Sequence, residues 1–161
     1  MCKCTPSIRT SYCGKVGCEW PKIPKKTFNV HQGGRINTYD CDGVVFINKD
    51  VVGVYPGPRD IIITGRSFEE KPETEAMLFE RRIFNLVIYN NLKYDEKTRG
   101  SSGEHKAMTI KSLQRAGYTV VAHYEDDEVQ AKVITEACPE VHVVMLVHDL
   151  TNKENCRHTE F

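Results

Sequence analysis

No apolar run in this chain approaches the roughly 20 residues that a membrane span needs. The polar N-terminus also has no apolar signal-peptide core. Both absences argue against secretion, and seven cysteines in an intracellular chain then argue against a disulfide scaffold. Net charge is missing too, with 22 Lys/Arg against 22 Asp/Glu. The balance is not uniform: residues 1–30 hold six Lys/Arg against one Glu, and the remainder 16 against 21. A basic arm on an acidic body suits either an anionic partner or a solvated tail. There is no internal repeat, and 161 residues suit one domain with a single core and a small appendage. The expectation is a soluble cytoplasmic protein with reduced thiols and no membrane partner.

What is present centres on Arg35-Ile36-Asn37-Thr38-Tyr39-Asp40-Cys41-Asp42-Gly43-Val44-Val45-Phe46. An extended run ends in two carboxylates one residue apart, followed by glycine. If the strand continues, Asp40 and Asp42 point the same way, and like charges that close repel unless a cation or shared proton intervenes. Gly43 lets the backbone bend away, leaving both acids at the carboxyl end of the strand, where open α/β sheets bind ligands. Cys41, between them, is expected to point into the core as a small hydrophobe.

Beyond this stretch, residues 44–54 suggest a short hairpin around Asn48-Lys49-Asp50, and Tyr55-Pro56-Gly57-Pro58 a turn. Ile61-Ile62-Ile63 reads as a strand buried on both faces, ending in Thr64-Gly65-Arg66-Ser67. Glu73 to Ile83 has helical spacing, through Ala76, Met77, Phe79 and Ile83. Phe84 to Tyr89 is strand-like, and Asn90 to Gly100 a polar loop. Ser101-Ser102-Gly103-Glu104 fits a capping box, opening a helix that stops at Gly117 and puts Lys106 in its first turn, against the macrodipole. Ser101 and Ser102 read as caps. Thr119 to Tyr124 is a strand running into Glu125-Asp126-Asp127-Glu128, acids whose mutual repulsion a divalent cation would relieve. A helix over 129–138 and a strand over 141–147 follow. Strand, crossover and strand recur, so the body is an α/β fold with a parallel sheet. Its polar clusters, Asp40/Asp42, Thr64/Arg66, Lys106 and Glu125–Asp127, then gather on one edge.

Cys2, Cys4, Cys13 and Cys18 lie within 17 positions of one another. Four thiolates at C-x-C…C-x4-C spacing could form a tetrahedral structural zinc site, with Cys156 and His158 as substitute ligands; free cysteines are the alternative. Residues 1–30 are accordingly set apart as a Cys-rich extension, 31–150 as the body and 151–161 as a polar tail.

Over roughly residues 35–149 the chain resembles the haloacid dehalogenase-like (HAD) hydrolases. Asp40-Cys41-Asp42-Gly43-Val44-Val45 resembles their first motif, D-x-D-G-x-x, and Ile63-Thr64-Gly65-Arg66 the second. Lys106 resembles the third, and Tyr124-Glu125-Asp126-Asp127 the acidic fourth. The Thr-Gly-Arg form is similar to the phosphatase half of phage polynucleotide kinase-phosphatases. Their fourth motif reads Asp-Asp-Arg, and here Asp127 stands in place of that arginine. The resemblance implies a three-layer Rossmann-like fold with sheet order 3-2-1-4-5, the Asp40 strand central, and a minimal cap.

The resemblance also implies the chemistry: a Mg2+-dependent phosphomonoester hydrolase acting on a nucleotide, another phosphorylated small molecule or a nucleic-acid end. Asp40 would be the nucleophile and Asp42 the acid and base. Thr64 and Lys106 would bind the phosphoryl group, with Gly65 and Arg66 on the substrate side. Mg2+ would be held by Asp40, the main-chain carbonyl of Asp42, and Asp126, with Asp127 and Glu125 as further candidates because a one-residue shift changes which acid reaches the metal. Arg66 has a second option, an ion pair to the fourth cluster; His105 and His123 flank the site without an assigned role. A competing reading is a non-catalytic scaffold carrying a zinc-bearing interaction module.

Overall fold

A computed structural model describes residues 34–48, 50–51 and 53–148. The extension with Cys2, Cys4, Cys13 and Cys18, and Cys156 and His158 in the tail, lie outside the described residues, as does the zinc expectation that rests on them.

Five strands form one all-parallel sheet: β1 (Arg35–Tyr39), β2 (Ile61–Ser67), β3 (Val87–Asn90), β4 (Thr119–Glu125) and β5 (His142–Met145). Their order is β3-β2-β1-β4-β5, with β1 central. Three helices join them: α1 (Lys71–Glu80), α2 (Arg99–Arg115) and α3 (Glu128–Ala137). The isoleucine run of β2 divides by period two between the faces. Ile61 and Ile63 pack with Ile110, Leu113 and Ile134 of α2 and α3. Ile62 packs on the other face with Leu78 of α1 and with Val44, Val45 and Phe46. Each such side chain, removed from water, contributes about 1.5–3 kcal/mol. Helix, sheet and helix therefore make three layers.

Several local expectations shift. α2 starts at Arg99, three residues before the expected start, because Thr98 is its N-cap and forms the reciprocal capping pair with Ser101. Lys106 is consequently the eighth residue of the helix rather than part of its first turn. α1 also begins early, with Pro72 in its first turn, and buries only Thr74 and Leu78. Ala76 and Phe79 of the expected apolar face are exposed, and Phe79 meets Phe84 edge-to-face at 5.9 Å. Ile83 reaches the core from outside the helix, after Arg82 reverses the chain at φ 55°.

The expected hairpin is a hydrogen-bonded flap without regular strands: Gly53 and Val54 donate to Val45 and Val44, and Ile47 to Val51. Its base is buried against α1 (Val44–Phe46), so it forms part of the core rather than projecting from it.

Candidate active site

β1 delivers Asp40 to the carboxyl edge of the sheet, where its N–H donates to the Tyr124 carbonyl of β4 at 2.9 Å. The strand stops there. Cys41 turns into the core at 0% exposure, its N–H donating to Asp40 Oδ1 at 2.7 Å. Phe46 N–H then bonds the Cys41 carbonyl at 2.9 Å, and Gly43 N–H the Phe46 carbonyl at 2.7 Å, closing a tight turn. The strand ends at Tyr39, so Asp40 and Asp42 lie in the turn rather than in a continuing strand. Each finds its own cation: Asp40 meets Lys106 at 3.0 Å, and Asp42 receives a two-pronged bond from Arg66, both at 2.8 Å.

Gly43 is needed twice over. Its φ is 81°, a region costly for residues with a Cβ, and a Cβ there would fall on the Asp126 carboxylate. The glycine thus lets the β1 loop sit directly over the acid that follows β4.

β4 ends in Glu125, fully buried and surrounded by donors. Its Oε1 accepts the N–H groups of Asp126 and Asp127 at 3.1 and 3.2 Å, and its Oε2 accepts Lys106 Nζ at 2.7 Å. His123 Nε2 lies 3.3 Å from the same Oε2, and His123 Nδ1 lies 2.8 Å from Thr38 Oγ1. An ionised carboxylate only accepts, so the imidazole proton sits on Nε2 and Nδ1 accepts the threonine hydroxyl. Thr38, His123, Glu125, Lys106 and Asp40 form one buried chain of polar contacts.

One lysine serves two carboxylates here, and the charges distribute unevenly. Burial alone would raise Glu125, but Lys106 and His123 hold it well below the usual carboxylate range. Burial also works against the Lys106 ammonium, yet Asp40 and Glu125 together raise it. Asp40 goes the other way: burial and the Glu125 charge push it well above the usual range, against the pull of Lys106. Lys106 and Glu125 are the settled ion pair, and Asp40 is the acid held in reserve.

Among the described residues, Asp40, Glu125 and Asp126 can bring ligand atoms within 4.8 Å of one another. The Asp127 carboxylate, a further candidate for the metal, is not in that group of side-chain ligands, and Asp42 is expected there only through its main-chain carbonyl. Asp127 instead caps α3, accepting from Val129 and Gln130, and receives Arg99 through Nε and Nη2 at 2.8 and 3.0 Å. Its carboxylate is fully used by a helix terminus and a guanidinium, which corrects its assignment as a ligand. Glu125 oxygens are likewise met by donors, and a cation placed here would lie among Asp40, Glu125 and Asp126.

On β2 the ladder to β3 slips between Ile63 and Ser67, which lifts Thr64, Gly65 and Arg66 out of regular pairing at the same edge. Thr64 Oγ1 accepts the Arg66 N–H at 3.1 Å, so its hydroxyl proton is available to another acceptor. Arg66 pairs with Asp42 rather than with the fourth cluster, and Nη1 also bonds Thr74 Oγ1 of α1 at 3.1 Å. Gly65 gives its carbonyl to buried Lys97 at 3.1 Å, and Lys97 also bonds Glu70 at 2.6 Å. Lys97 lies in the stretch read as a polar loop, and nothing in its spacing marks it. A Cβ on Gly65 would stand 3.3 Å from Ser102 Oγ. Ser101 is not the N-cap expected but the reciprocal partner of Thr98 in the capping box. Ser102 does not cap: its hydroxyl is buried without a partner. His105 is packed beside Thr64, and burial together with Lys106 lowers its pKa to about 3, so it is neutral at physiological pH.

Comparison with protein-family models, curated proteins and solved structures finds no match.

Proposed function

We propose that the chain is a Mg2+-dependent phosphomonoester hydrolase of the haloacid dehalogenase-like type, working through an aspartyl-phosphate. The observation that carries this reading is the convergence of Asp40, Glu125 and Asp126, two of which share the buried ammonium of Lys106. A purely structural core has little use for three buried acids crowded at one strand edge, since burying like charges together is costly. The residues fit a hard, oxygen-seeking cation: Asp40 and Asp126 face one another across Gly43, whose missing Cβ leaves room for the Asp126 carboxylate. Bound there, Mg2+ would supply the positive charge that keeps Asp40 ionised and offsets charge on a phosphoryl group.

In this reading Asp40 attacks phosphorus in line and forms the acyl phosphate. Both contacts from Lys106 and Cys41 fall on Oδ1, which leaves Oδ2 as the attacking atom. Lys106 holds the nucleophile's orientation and offers its charge to an equatorial oxygen. Thr64 donates its hydroxyl proton to another. Asp42, side chain 39% exposed, protonates the leaving oxygen and later takes a proton from the water that hydrolyses the acyl phosphate. For that, Asp42 exchanges its bond to Arg66 for the substrate. The substrate class, a nucleotide or nucleic-acid-end phosphate, is supported by the Thr64-Gly65-Arg66 form and by the basic charge of residues 1–30.

Hydrolysis of p-nitrophenyl phosphate with Mg2+ and with EDTA, beside Asp40→Asn, tests the reaction. Mg2+-dependent turnover that disappears in Asp40→Asn is expected, and turnover that survives the substitution removes the nucleophile. A panel of nucleotides and of 3′- and 5′-phosphorylated oligonucleotides then tests the substrate class.

A further inference from the structure

The chain beyond β5 crosses back over the end of β4 to reach the β1 loop. Leu146 N–H donates to the Glu125 carbonyl at 2.8 Å, and two residues later His148 Nε2 lies 2.7 Å from the Gly43 carbonyl. A carbonyl only accepts, so Nε2–H is the donor. The contact joins residues 105 apart in sequence, and β5 is separated from β1 by the whole of β4.

Gly43 is the pivot of the proposed site. Its N–H is fixed on the Phe46 carbonyl at 2.7 Å. Every peptide here is trans, so the Asp42 carbonyl must point the opposite way from that N–H. The next peptide plane, between Gly43 and Val44, is fixed further if something holds its carbonyl. His148 does so. A glycine at φ 81° is otherwise the easiest place in the loop for the backbone to rotate, and rotation there would swing Asp42 and shift the loop off Asp126.

We propose that His148 is a positioning residue for this loop: its hydrogen bond to the Gly43 carbonyl keeps the Asp40–Gly43 turn seated over Asp126, so that the two sides of the cation site stay in register. The proposal rests on the hydrolase reading above. It resembles the general behaviour of groups that orient metal ligands without touching the metal, whose loss costs about 10–100-fold in metal affinity.

The test compares wild type, His148→Gln and His148→Leu by calorimetric titration with Mg2+, with p-nitrophenyl phosphate turnover measured in parallel. Glutamine can donate an amide N–H to the same carbonyl; leucine fills comparable space and cannot. The expected result is a Mg2+ dissociation constant raised about 10-fold or more in His148→Leu and within about threefold of wild type in His148→Gln. The Mg2+ concentration for half-maximal turnover should move in parallel, while kcat at saturating Mg2+ changes less. Leucine and glutamine variants that behave alike, whether both tight or both weak, overturn the proposal, because the hydrogen bond then decides nothing. A wild-type chain that binds no Mg2+ fails the hydrolase reading itself, which is a separate outcome from the comparison of variants.

Discussion

Replacing Asp40 by asparagine should abolish hydrolysis and yet leave a more stable protein in the absence of Mg2+. The carboxylate lies within 4.8 Å of ligand atoms on both Glu125 and Asp126. At an effective dielectric constant of 20, each repulsion at that separation is about 3.5 kcal/mol, or about 7 kcal/mol for the two. Against this stands attraction to Lys106 at 3.0 Å, about 5.5 kcal/mol on the same scale. The remainder, about 1.5 kcal/mol, is relieved in Asp40→Asn together with part of the cost of burying a charge. The amide oxygen can still accept from Cys41 and Lys106, so the geometry survives. Urea unfolding at pH 7.5 in EDTA should therefore place the variant about 1–3 kcal/mol above wild type. In excess Mg2+ the order should reverse or close, since wild type gains about 2.7 kcal/mol at a hundredfold excess over its dissociation constant and the variant little. An Asp40→Asn protein less stable than wild type in EDTA, or one that keeps the full Mg2+ increment, refutes the account of Asp40 as an acid held in reserve.

Further tests follow from the same contacts. Lys106→Met should cost about 3–5 kcal/mol at pH 8. The deficit should shrink toward pH 5 as Asp40, an acid raised in the folded state, takes up a proton there more readily than in the unfolded chain; a deficit that widens on acidification contradicts this. His105, lowered from 6.5 to about 3 by burial, contributes stability that is complete above about pH 6.5 and is lost as pH falls, because the unfolded chain binds the proton first. His105→Gln should flatten the stability–pH slope between pH 6 and 5 by up to about 1.4 kcal/mol per unit, read by urea midpoints. Gly43→Ala combines a left-handed backbone with a collision at Asp126 and should cost about 3 kcal/mol and weaken Mg2+ binding; Gly117→Ala, at φ 95° but remote from the acids, should cost about 1–2 kcal/mol and leave Mg2+ titrations unchanged. Asp126→Asn should remove Mg2+ binding, whereas Asp127→Asn, which disturbs a cap and the Arg99 pair, should cost about 1 kcal/mol and leave Mg2+ affinity within about threefold by calorimetry.

The parallel sheet and the gathering of polar clusters on one edge could be read from the chain because strand length, glycine stops and apolar runs are local signals; the strand order is implied only by the family resemblance. Ile61-Ile62-Ile63 announced a strand covered on both sides, and both faces are in fact covered. The partners within the site were less legible. Lys106 reads as a first-turn residue only if Ser101 is taken as the cap; Thr98, three positions earlier, offers the same hydroxyl, and nothing local favours one over the other. Glu125 and Asp127 differ by two positions in an acidic run, and only the end of β4 decides that the first is buried under Lys106 while the second caps α3. The Asp42–Arg66 pair spans 24 residues and Lys97–Glu70 spans 27, separations that no local pattern reveals. His123 shows the one signal that was available and unused. It pairs with Thr38 across the β1–β4 register and lies two positions before Glu125, so both fall on one face of β4.

The burial of Lys106 has a practical corollary. Amine-reactive reagents need an accessible, unprotonated nitrogen, and this ammonium is closed to solvent at 0% exposure and clamped by two acids. Acylation at Lys106 would therefore lag behind that of exposed lysines such as Lys71 and Lys93. Its rate in a mass-spectrometric footprint would report how often the carboxyl edge of the sheet comes apart, giving a clock for local opening built into the chain itself.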